Sequence, residues 1–195
     1  GGAQTAAHLR IGTEAPVSFA FSDALRPGAA EAIAALRAQG MRLMLISGDA
    51  EAPVAALAAR LGLEEWQSGA LPEGKAATVQ ALTEAGARVL MVGDGLNDTA
   101  ALAAAHASVS PASALDAART ASDIVLLGQS IAPLGTAVKT ARSATRRINE
   151  NFGISLFYNV VAVPIALLGL TTPLIAALAM SASSITVSLN ALRVR

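Results

Sequence analysis

The sequence predicts an α/β domain built on a parallel sheet, followed by a membrane-spanning helical hairpin. Short apolar runs that end in glycine and acidic residues alternate with alanine-rich helical segments, as in a sheet whose strands are buried on both faces. Residues 151–192 contain no charged residue. Thr171-Thr-Pro173 divides this stretch into two halves, each of about the length that crosses a hydrocarbon core.

Composition limits the class of protein. The 195 residues have zero net charge and 14% charged residues, against roughly one quarter in soluble domains. Zero net charge gives no broad attraction for nucleic acid, and the absence of cysteine excludes disulfides and thiolate metal sites within these residues. The chain does not begin with methionine and shows no signal peptide, so we expect it to be the C-terminal piece of a longer protein.

The elements are predicted in chain order from periodicity and from turn residues. Residues 17–21 alternate as a half-buried strand does, and Pro27 suits the first turn of a helix over 29–37 that Gly40 ends. The remaining predictions are strands at 41–46, 89–92, 107–111 and 123–127, helices at 53–61, 71–82 and 99–106, and a long helix from Pro133 that enters the first span.

The loop after the strand at 89–92 carries the clearest chemistry. Gly93-Asp-Gly-Leu-Asn-Asp98 places Asp94 and Asp98 beyond the carboxyl end of a strand, where ligands bind in open α/β sheets. Two carboxylates so close repel, so a cation should lie between them or one should be protonated. Mg²⁺ satisfies this best, because it binds carboxylate oxygens and keeps water and phosphate as its other ligands. A turn with two solvated aspartates is the alternative.

Two further junctions carry phosphate-binding chemistry. Ser47-Gly48-Asp49 follows a strand, and a hydroxyl, a glycine and free amides at a helix N-terminus can hold phosphate. Lys75 lies at a helix start, where the macrodipole disfavours a cation unless a phosphate is near. An exposed lysine that contributes little to stability is the alternative for Lys75.

In this order the three features resemble the C-terminal part of a P-type ATPase, whose phosphorylation domain has the haloacid-dehalogenase-like, Rossmann-like fold. Asp23-Ala-Leu-Arg-Pro27 resembles the family's D-x-x-R-P/E start of that domain. Ser47-Gly48-Asp49 resembles its T/S-G-D motif, Lys75 its phosphate-binding lysine, and Gly93 to Asp98 its G-D-G-x-N-D motif.

The resemblance implies a cation-translocating ATPase that uses ATP and Mg²⁺. It implies Mg²⁺ at Asp94 and Asp98, with Asn97 as a supporting cofactor-binding residue. It also implies catalytic contacts to the phosphoryl group from four residues of the other two motifs, namely Ser47, Gly48, Asp49 and Lys75.

One departure bears on activity. The family's phosphorylated aspartate belongs to an Asp-Lys-Thr-Gly-Thr motif, which this sequence lacks. Because aspartyl-phosphate chemistry needs that residue, we expect it upstream in the same protein and do not expect this chain alone to hydrolyse ATP. The implied segments are 1–22, the tail of a nucleotide-binding domain and hinge; 23–132, the phosphorylation domain; 133–151, a connecting cytoplasmic helix; and 152–195, two transmembrane helices.

The flanks of the two predicted spans set their orientation. Basic residues precede the span at 152–170 and follow the span at 174–192, which puts both ends in the cytoplasm. We expect an integral protein of a bacterial inner or plasma membrane with a cytoplasmic phosphorylation domain. Its expected partners are membrane lipid, the upstream domains of the same chain and a metal chaperone. A pair of buried soluble helices is the alternative. The basic residues are Lys139, Arg142, Arg146, Arg147, Arg193 and Arg195.

Polar side chains and a methionine thioether inside the predicted spans favour a transport pathway for a metal ion. Tyr158 and Asn159 lie in the first span, and Met180 and Ser184 lie in the second. Polar groups at membrane depth usually face a bundle interior, and the Met thioether favours Cu(I). Both segments resemble the last two helices of copper-transporting ATPases, and Ser110-Pro-Ala-Ser113 resembles a subgroup associated with cytochrome oxidase assembly. We therefore expect a Cu(I) exporter, with ordinary helix packing as the alternative for these side chains.

Other classes of protein remain open. A Zn or Cd ATPase would have a Lys and an Asp in the spans, and neither is present. A soluble haloacid-dehalogenase-like phosphatase would not need a charge-free hairpin. A membrane-anchored structural domain would not need three phosphate-site motifs in family order.

Overall fold

The computed structural model describes residues 5–13, 15–21 and 25–193 and contains two compact units. The first unit is Gly1–Gly135 and the second is Thr136–Arg195. Asp23 of the predicted D-x-x-R-P motif and the basic Arg195 lie outside the described residues.

After an initial pair of strands, the described strands and helices alternate along the first unit. The strands are β1 (Thr5–Leu9), β2 (Val17–Phe21), β3 (Met44–Ile46), β4 (Glu65–Gln67), β5 (Leu90–Val92), β6 (Ala107–Pro111) and β7 (Ile124–Leu126). The helices are α1 (Ala29–Ala38), α2 (Glu51–Leu61), α3 (Pro72–Glu84), α4 (Thr99–Ala104), α5 (Asp116–Ala121), α6 (Pro133–Leu167) and α7 (Pro173–Ala191), and a 3₁₀ turn covers Leu96–Asp98.

The strands form one antiparallel hairpin and two parallel sheets. Strands β1 and β2 pair antiparallel, with Thr5 opposite Phe21. Strands β3 and β4 pair parallel, with Leu45 opposite Trp66. Strands β5, β6 and β7 form a second parallel sheet in that order. The predicted parallel α/β arrangement is therefore present, and the loops at the carboxyl ends of β3 and β5 are those that carry the predicted site residues.

The predicted element bounds differ from the structure at helix and strand ends. The predicted strand at 41–46 begins only at Met44, because the Met41 amide donates to the Leu36 carbonyl (3.2 Å) and so belongs to the end of α1. Gly40 has a φ of 74°, a left-handed conformation that favours glycine at a helix end, as predicted. Helix α4 ends at Ala104 rather than at 106, and β7 is confined to Ile124–Leu126.

Small side chains fill the core of the first unit. Leu102, Ala114 and Ala118 form one buried cluster, with Met91 packed against it. Alanine at these positions lets α4 and α5 lie close to β5 at the packing density of a protein interior. This packing fixes the start of α4 beside the loop that leaves β5. Other buried residues of the same kind are Ala32, Val54, Ala58, Val79, Ala101 and Val109.

The second unit contains most of α6 and all of α7. Both helices are long and apolar enough to cross a membrane, and none of the residues in their apolar windows is buried. The absence of buried residues from both windows differs from the core helices of a soluble protein, which are mostly buried. The predicted break is present: Thr172 caps α7, and its hydroxyl accepts from the Ile175 amide (3.3 Å).

A polar cluster joins the two helices of the hairpin at the end remote from the break. The Asn190 side-chain amide donates to Glu150 (3.2 Å) and to Asn151 (2.9 Å). Glu150 also accepts from Arg146 (3.0 Å) and Arg147 (2.6 Å) on its own helix. These contacts hold the start of the charge-free part of α6 against the last turn of α7.

Candidate active site

Backbone hydrogen bonds join the loop after β3 to the segment that leads into α3. The Ser47 amide donates to the Gln67 carbonyl (2.9 Å), and the Ala70 amide returns a bond to the Ser47 carbonyl (2.9 Å). The Gly69 amide donates to the Asp49 carbonyl (2.8 Å). The Ser47 turn and the segment before Lys75 are therefore held together by the backbone.

The Ser47 turn is closed on itself. The Ser47 hydroxyl donates to the Asp49 carboxylate (2.8 Å) and accepts from the Asp49 amide (3.2 Å). The turn was predicted to offer free amides, but those of Ser47 and Asp49 already donate within the protein. A side chain at Gly48 would come within 3.3 Å of the Ala70 carbonyl oxygen, so glycine suits this close approach of two backbone segments.

The loop after β5 encloses Asp98. The Lys75 ammonium donates to one carboxylate oxygen of Asp98 (2.7 Å), and the Gly95 amide donates to the other (3.2 Å). The two side chains are only 13% and 12% exposed. A Cβ at Gly93 would lie 2.8 Å from the Asp98 Cβ, so this position requires glycine. Asp98 thus links the start of α3 to the glycine loop, which brings two predicted site residues into direct contact.

Asp94 lies on the same loop in a more open position. Its side chain is 50% exposed and forms an ion pair with Arg26. The other terminal nitrogen of Arg26 donates to the Ser113 hydroxyl (2.9 Å). Asn97 is exposed in the 3₁₀ turn that follows. The loop therefore presents one enclosed carboxylate and one open carboxylate.

Sequence reasoning did not identify Arg26 or Ser113 as site residues. Arg26 was noted only as part of the motif at the start of the domain, and Ser113 only as part of a departure from the family pattern. Ser113 follows β6, which runs parallel to β5, so its place after a strand could have indicated it, whereas no local signal in the sequence indicates Arg26. The described residues contain no group of three or more His, Asp or Glu side chains arranged to hold a metal.

The hairpin residues predicted to bind metal lie on different faces. Tyr158 lines an apolar groove of about 500 Å³ between the two helices, whereas Asn159 is exposed. The two adjacent side chains therefore diverge, as expected. Met180 is 64% exposed and shares a helix face with Ser184, while Ala179 and Ser183 face the groove. Ser183, which was not singled out from the sequence, thus lines the same groove as Tyr158.

Comparison with known proteins identifies the class. The family model of haloacid dehalogenase-like hydrolases matches residues 2–106, and the chain belongs to that family. Within it, the relatives are heavy-metal P-type ATPases, which confirms the resemblance inferred from the motifs.

Two curated relatives illustrate the match. The nitrogen fixation protein FixI of Bradyrhizobium diazoefficiens is 48% identical over 171 residues, which are 88% of this chain and 23% of the relative. The copper-exporting P-type ATPase of Mycobacterium tuberculosis is 38% identical over 192 residues, which are 98% of this chain and 25% of the relative. The chain thus spans about a quarter of the length of these relatives.

A solved structure matches both in fold and in sequence. A zinc-transporting PIB-type ATPase in its E2.Pi state superposes with a TM-score of 0.84 at 35% identity, covering 91% of this chain and 29% of that one. The predicted fold class, a haloacid-dehalogenase-like parallel-sheet domain followed by two apolar helices, is confirmed.

Proposed function

We propose that the protein containing this chain is an ATP-driven heavy-metal pump that works through an aspartyl-phosphate intermediate. In this proposal the chain supplies the Mg²⁺- and phosphate-binding half of the catalytic site, and an upstream segment supplies the phosphorylated aspartate. The observation that carries the proposal is the glycine loop after β5, which holds Asp98 against Lys75 and leaves Asp94 open. A soluble phosphatase would share this loop but would not need the apolar hairpin.

The residues present fit a magnesium ion. Asp94 offers a half-exposed carboxylate at the end of a parallel strand, and Mg²⁺ usually uses one or two protein carboxylates together with water and phosphate. Both oxygens of Asp98 already accept hydrogen bonds, so we assign Asp98 to the orientation of Lys75 and Asp94 to direct coordination. When bound, the ion would neutralise charge that develops on the transferring phosphoryl group.

The other site residues have roles that follow from their contacts. Lys75 is held by Asp98 at the first turn of α3, so its ammonium is oriented before any phosphate arrives. Preorganised charge of this kind stabilises a transition state without reorganisation during the reaction. The closed Ser47 turn would contribute its hydroxyl and the Gly48 amide, with Asp49 keeping the serine oriented. Asn97, exposed on the same loop as Asp94, would contact the cofactor.

The test of this assignment is Asp94→Asn in the full-length protein that contains this chain. The substitution keeps size but removes the charge that would bind Mg²⁺, so we expect phosphoenzyme formation from labelled ATP to fall by at least about a hundredfold, as when a transition-state contact is lost. Asp116→Asn, which alters an exposed carboxylate in the first turn of α5, is the matched control and should phosphorylate normally. Normal phosphorylation of Asp94→Asn would refute the assignment.

We further propose that the transported ion is Cu(I), carried outward across a bacterial inner membrane. Met180 and Ser184 share one exposed face of α7, where a thioether could meet ligands from helices upstream in the protein. Neither span contains the Lys and Asp expected of zinc-type pumps. The copper-exporting relative favours this choice, whereas the matching zinc-transporting structure keeps zinc as the second candidate.

Met180→Leu tests the choice of metal. The change keeps volume and apolarity, so the protein should fold normally. We expect the detergent-purified full-length protein to bind less Cu(I) and to lose Cu(I)-stimulated ATPase activity. Met91→Leu, in the core of the first unit, is the matched control. Unchanged Cu(I) stoichiometry in Met180→Leu would assign Met180 to packing and remove the support for copper from this residue.

The segment boundaries and partners remain part of the proposal. The compact units divide between Gly135 and Thr136, close to the proposed end of the phosphorylation domain at residue 132. We keep residues 1–22 as the tail of a nucleotide-binding domain, residues 133–151 as a cytoplasmic connection and residues 152–195 as the membrane hairpin. Membrane lipid, the upstream domains and a metal chaperone are the proposed partners.

A further inference from the structure

Arg26 connects two loops at the candidate site. One of its terminal nitrogens pairs with the Asp94 carboxylate, and the other donates to the Ser113 hydroxyl (2.9 Å). These two partners come from the loops that follow β5 and β6. A guanidinium suits this arrangement, because its fixed planar fork can hold two acceptors at once.

The backbone beside Arg26 is anchored, so its position is not that of a freely moving surface arginine. The Arg26 carbonyl accepts from the Ala29 amide at the start of α1 (3.1 Å), and the Pro27 carbonyl accepts from the Ile131 amide (3.0 Å). Gly28 has a φ of 77°, and a Cβ there would lie 2.7 Å from the Ala132 backbone nitrogen. The chain at this point is therefore fixed against the segment before α6.

The ion pair uses the carboxylate that the proposed function assigns to Mg²⁺. The guanidinium occupies one carboxylate oxygen of Asp94, and its positive charge next to the site repels a divalent cation. The pair is also open enough to exchange: Arg26 is 37% exposed and Asp94 50% exposed. Exposed ion pairs of this kind contribute little to stability, so breaking one costs the fold little.

We propose that Arg26 competes with Mg²⁺ for the Asp94 carboxylate and is held in position by its hydrogen bond to Ser113. The ion therefore binds tightly only after Arg26 has moved away from Asp94. The inference rests on the proposed function, since it takes Asp94 as the magnesium ligand. In this proposal Arg26 regulates the binding of Mg²⁺ at the site through its ion pair with Asp94.

The experiment is titration of MgCl₂ into the detergent-purified full-length protein that contains this chain, without nucleotide or phosphate, with the Kd read by calorimetry. Removing the competing charge in Arg26→Gln should tighten Mg²⁺ binding by about three- to tenfold, as expected for loss of a unit charge next to a divalent ion in a partly solvated site. Arg26→Lys retains a positive charge and should give a smaller gain. Ser113→Ala removes one anchor of the guanidinium and should give a smaller gain in the same direction.

Arg42→Gln is the matched control. It breaks another exposed arginine–carboxylate pair, with Glu65, at the end of β3 opposite to the Ser47 turn, and should leave the Kd unchanged. The gain of Arg26→Gln should vanish when it is combined with Asp94→Asn. Circular dichroism shows whether each variant keeps its helices.

The inference is overturned if Arg26→Gln binds Mg²⁺ no more tightly than the wild type, whatever the wild-type value. It is also overturned if the gain persists without the Asp94 carboxylate, because the ion would then bind elsewhere. Failure of the proposed function has a different signature: Asp94→Asn alone would leave both Mg²⁺ binding and phosphoenzyme formation unchanged.

Discussion

Lys75 and Asp98 form an ion pair that is largely shielded from solvent. This burial determines how a substitution at either residue affects stability. An exposed lysine that contributes little to stability was the alternative expectation for Lys75. The exposed position is wrong, because only 13% of the Lys75 side chain is exposed and its ammonium lies 2.7 Å from a carboxylate oxygen of Asp98. Truncating one partner leaves the other as a charge with poor solvation.

We expect Lys75→Ala to lower the free energy of unfolding of the first unit by about 1–3 kcal/mol, the range for leaving a buried polar partner unsatisfied. Urea unfolding followed by pulse proteolysis measures this in detergent. Lys75→Ala combined with Asp98→Asn should be less destabilised than Lys75→Ala alone, because the stranded charge is gone. Equal stability of Lys75→Ala and the wild type would mean that the pair contributes no net stability.

Single residues of the site were predictable to different degrees. Asp94, Asp98 and Lys75 could be found because a carboxylate at a strand end and a lysine at a helix start are local features of the sequence. Arg26 could not be placed beside Asp94, because the two residues are 68 positions apart and no local pattern in the sequence joins them. The metal-binding roles of Met180 and Ser184 remain predictions.

At the scale of elements, a serine–aspartate pair fixes β7 against β6. The Ser108 hydroxyl (2.7 Å) and amide (2.8 Å) both donate to the Asp123 carboxylate, and the Asp123 amide donates back to the Ser108 oxygen (3.0 Å). These hydrogen bonds to the charged form hold the pKa of Asp123 below its ordinary value. The Asp123 carboxylate, directly before β7, therefore stabilises the folded state while it is ionised.

The sign of the pH effect follows from this lowered pKa. A carboxyl with a folded pKa below its unfolded value stabilises the protein above the unfolded pKa, near pH 4, and loses that contribution as the pH falls through the folded pKa. We expect Ser108→Ala to be less stable than the wild type at pH 6 and to lose less stability between pH 5 and about 2. Thermal unfolding across this range is the measurement. Parallel pH profiles for the two proteins would contradict it.

Element types were more predictable than element ends. Strand β4 was not predicted, because Glu65, Trp66 and Gln67 have no apolar alternation, and they form a strand only by pairing with β3. Helix α5 was also not predicted, since a six-residue helix carries too little periodicity. The hairpin was predictable from the absence of charge over residues 151–192 together with the break at Thr171-Thr-Pro173. The polar contact of Asn190 with Glu150 was not, since it joins residues 40 positions apart.

The chain has zero net charge and contains two units that differ in composition, since the second includes the charge-free residues 151–192. The first unit contains the described strands and the site loops, and the second contains the charge-free part of the two apolar helices. The match to a zinc-transporting PIB-type ATPase structure covers 91% of the chain, so the combination itself is shared with a solved pump structure. This combination was predictable because each unit has its own sequence pattern. The first alternates short apolar runs with alanine-rich helical segments, and the second contains a long stretch without charge.

The scarcity of aromatic residues has a practical consequence for optical measurements. The chain has one tryptophan, Trp66 on β4, and one tyrosine, Tyr158 in α6. The backbone of Gln67, next to Trp66, is bonded to Ser47, so the indole fluorophore lies near the Ser47 turn in the first unit. The phenol chromophore belongs to the second unit and lines the groove of the hairpin. Each unit thus carries its own intrinsic reporter, and tryptophan emission follows the first unit without any introduced label.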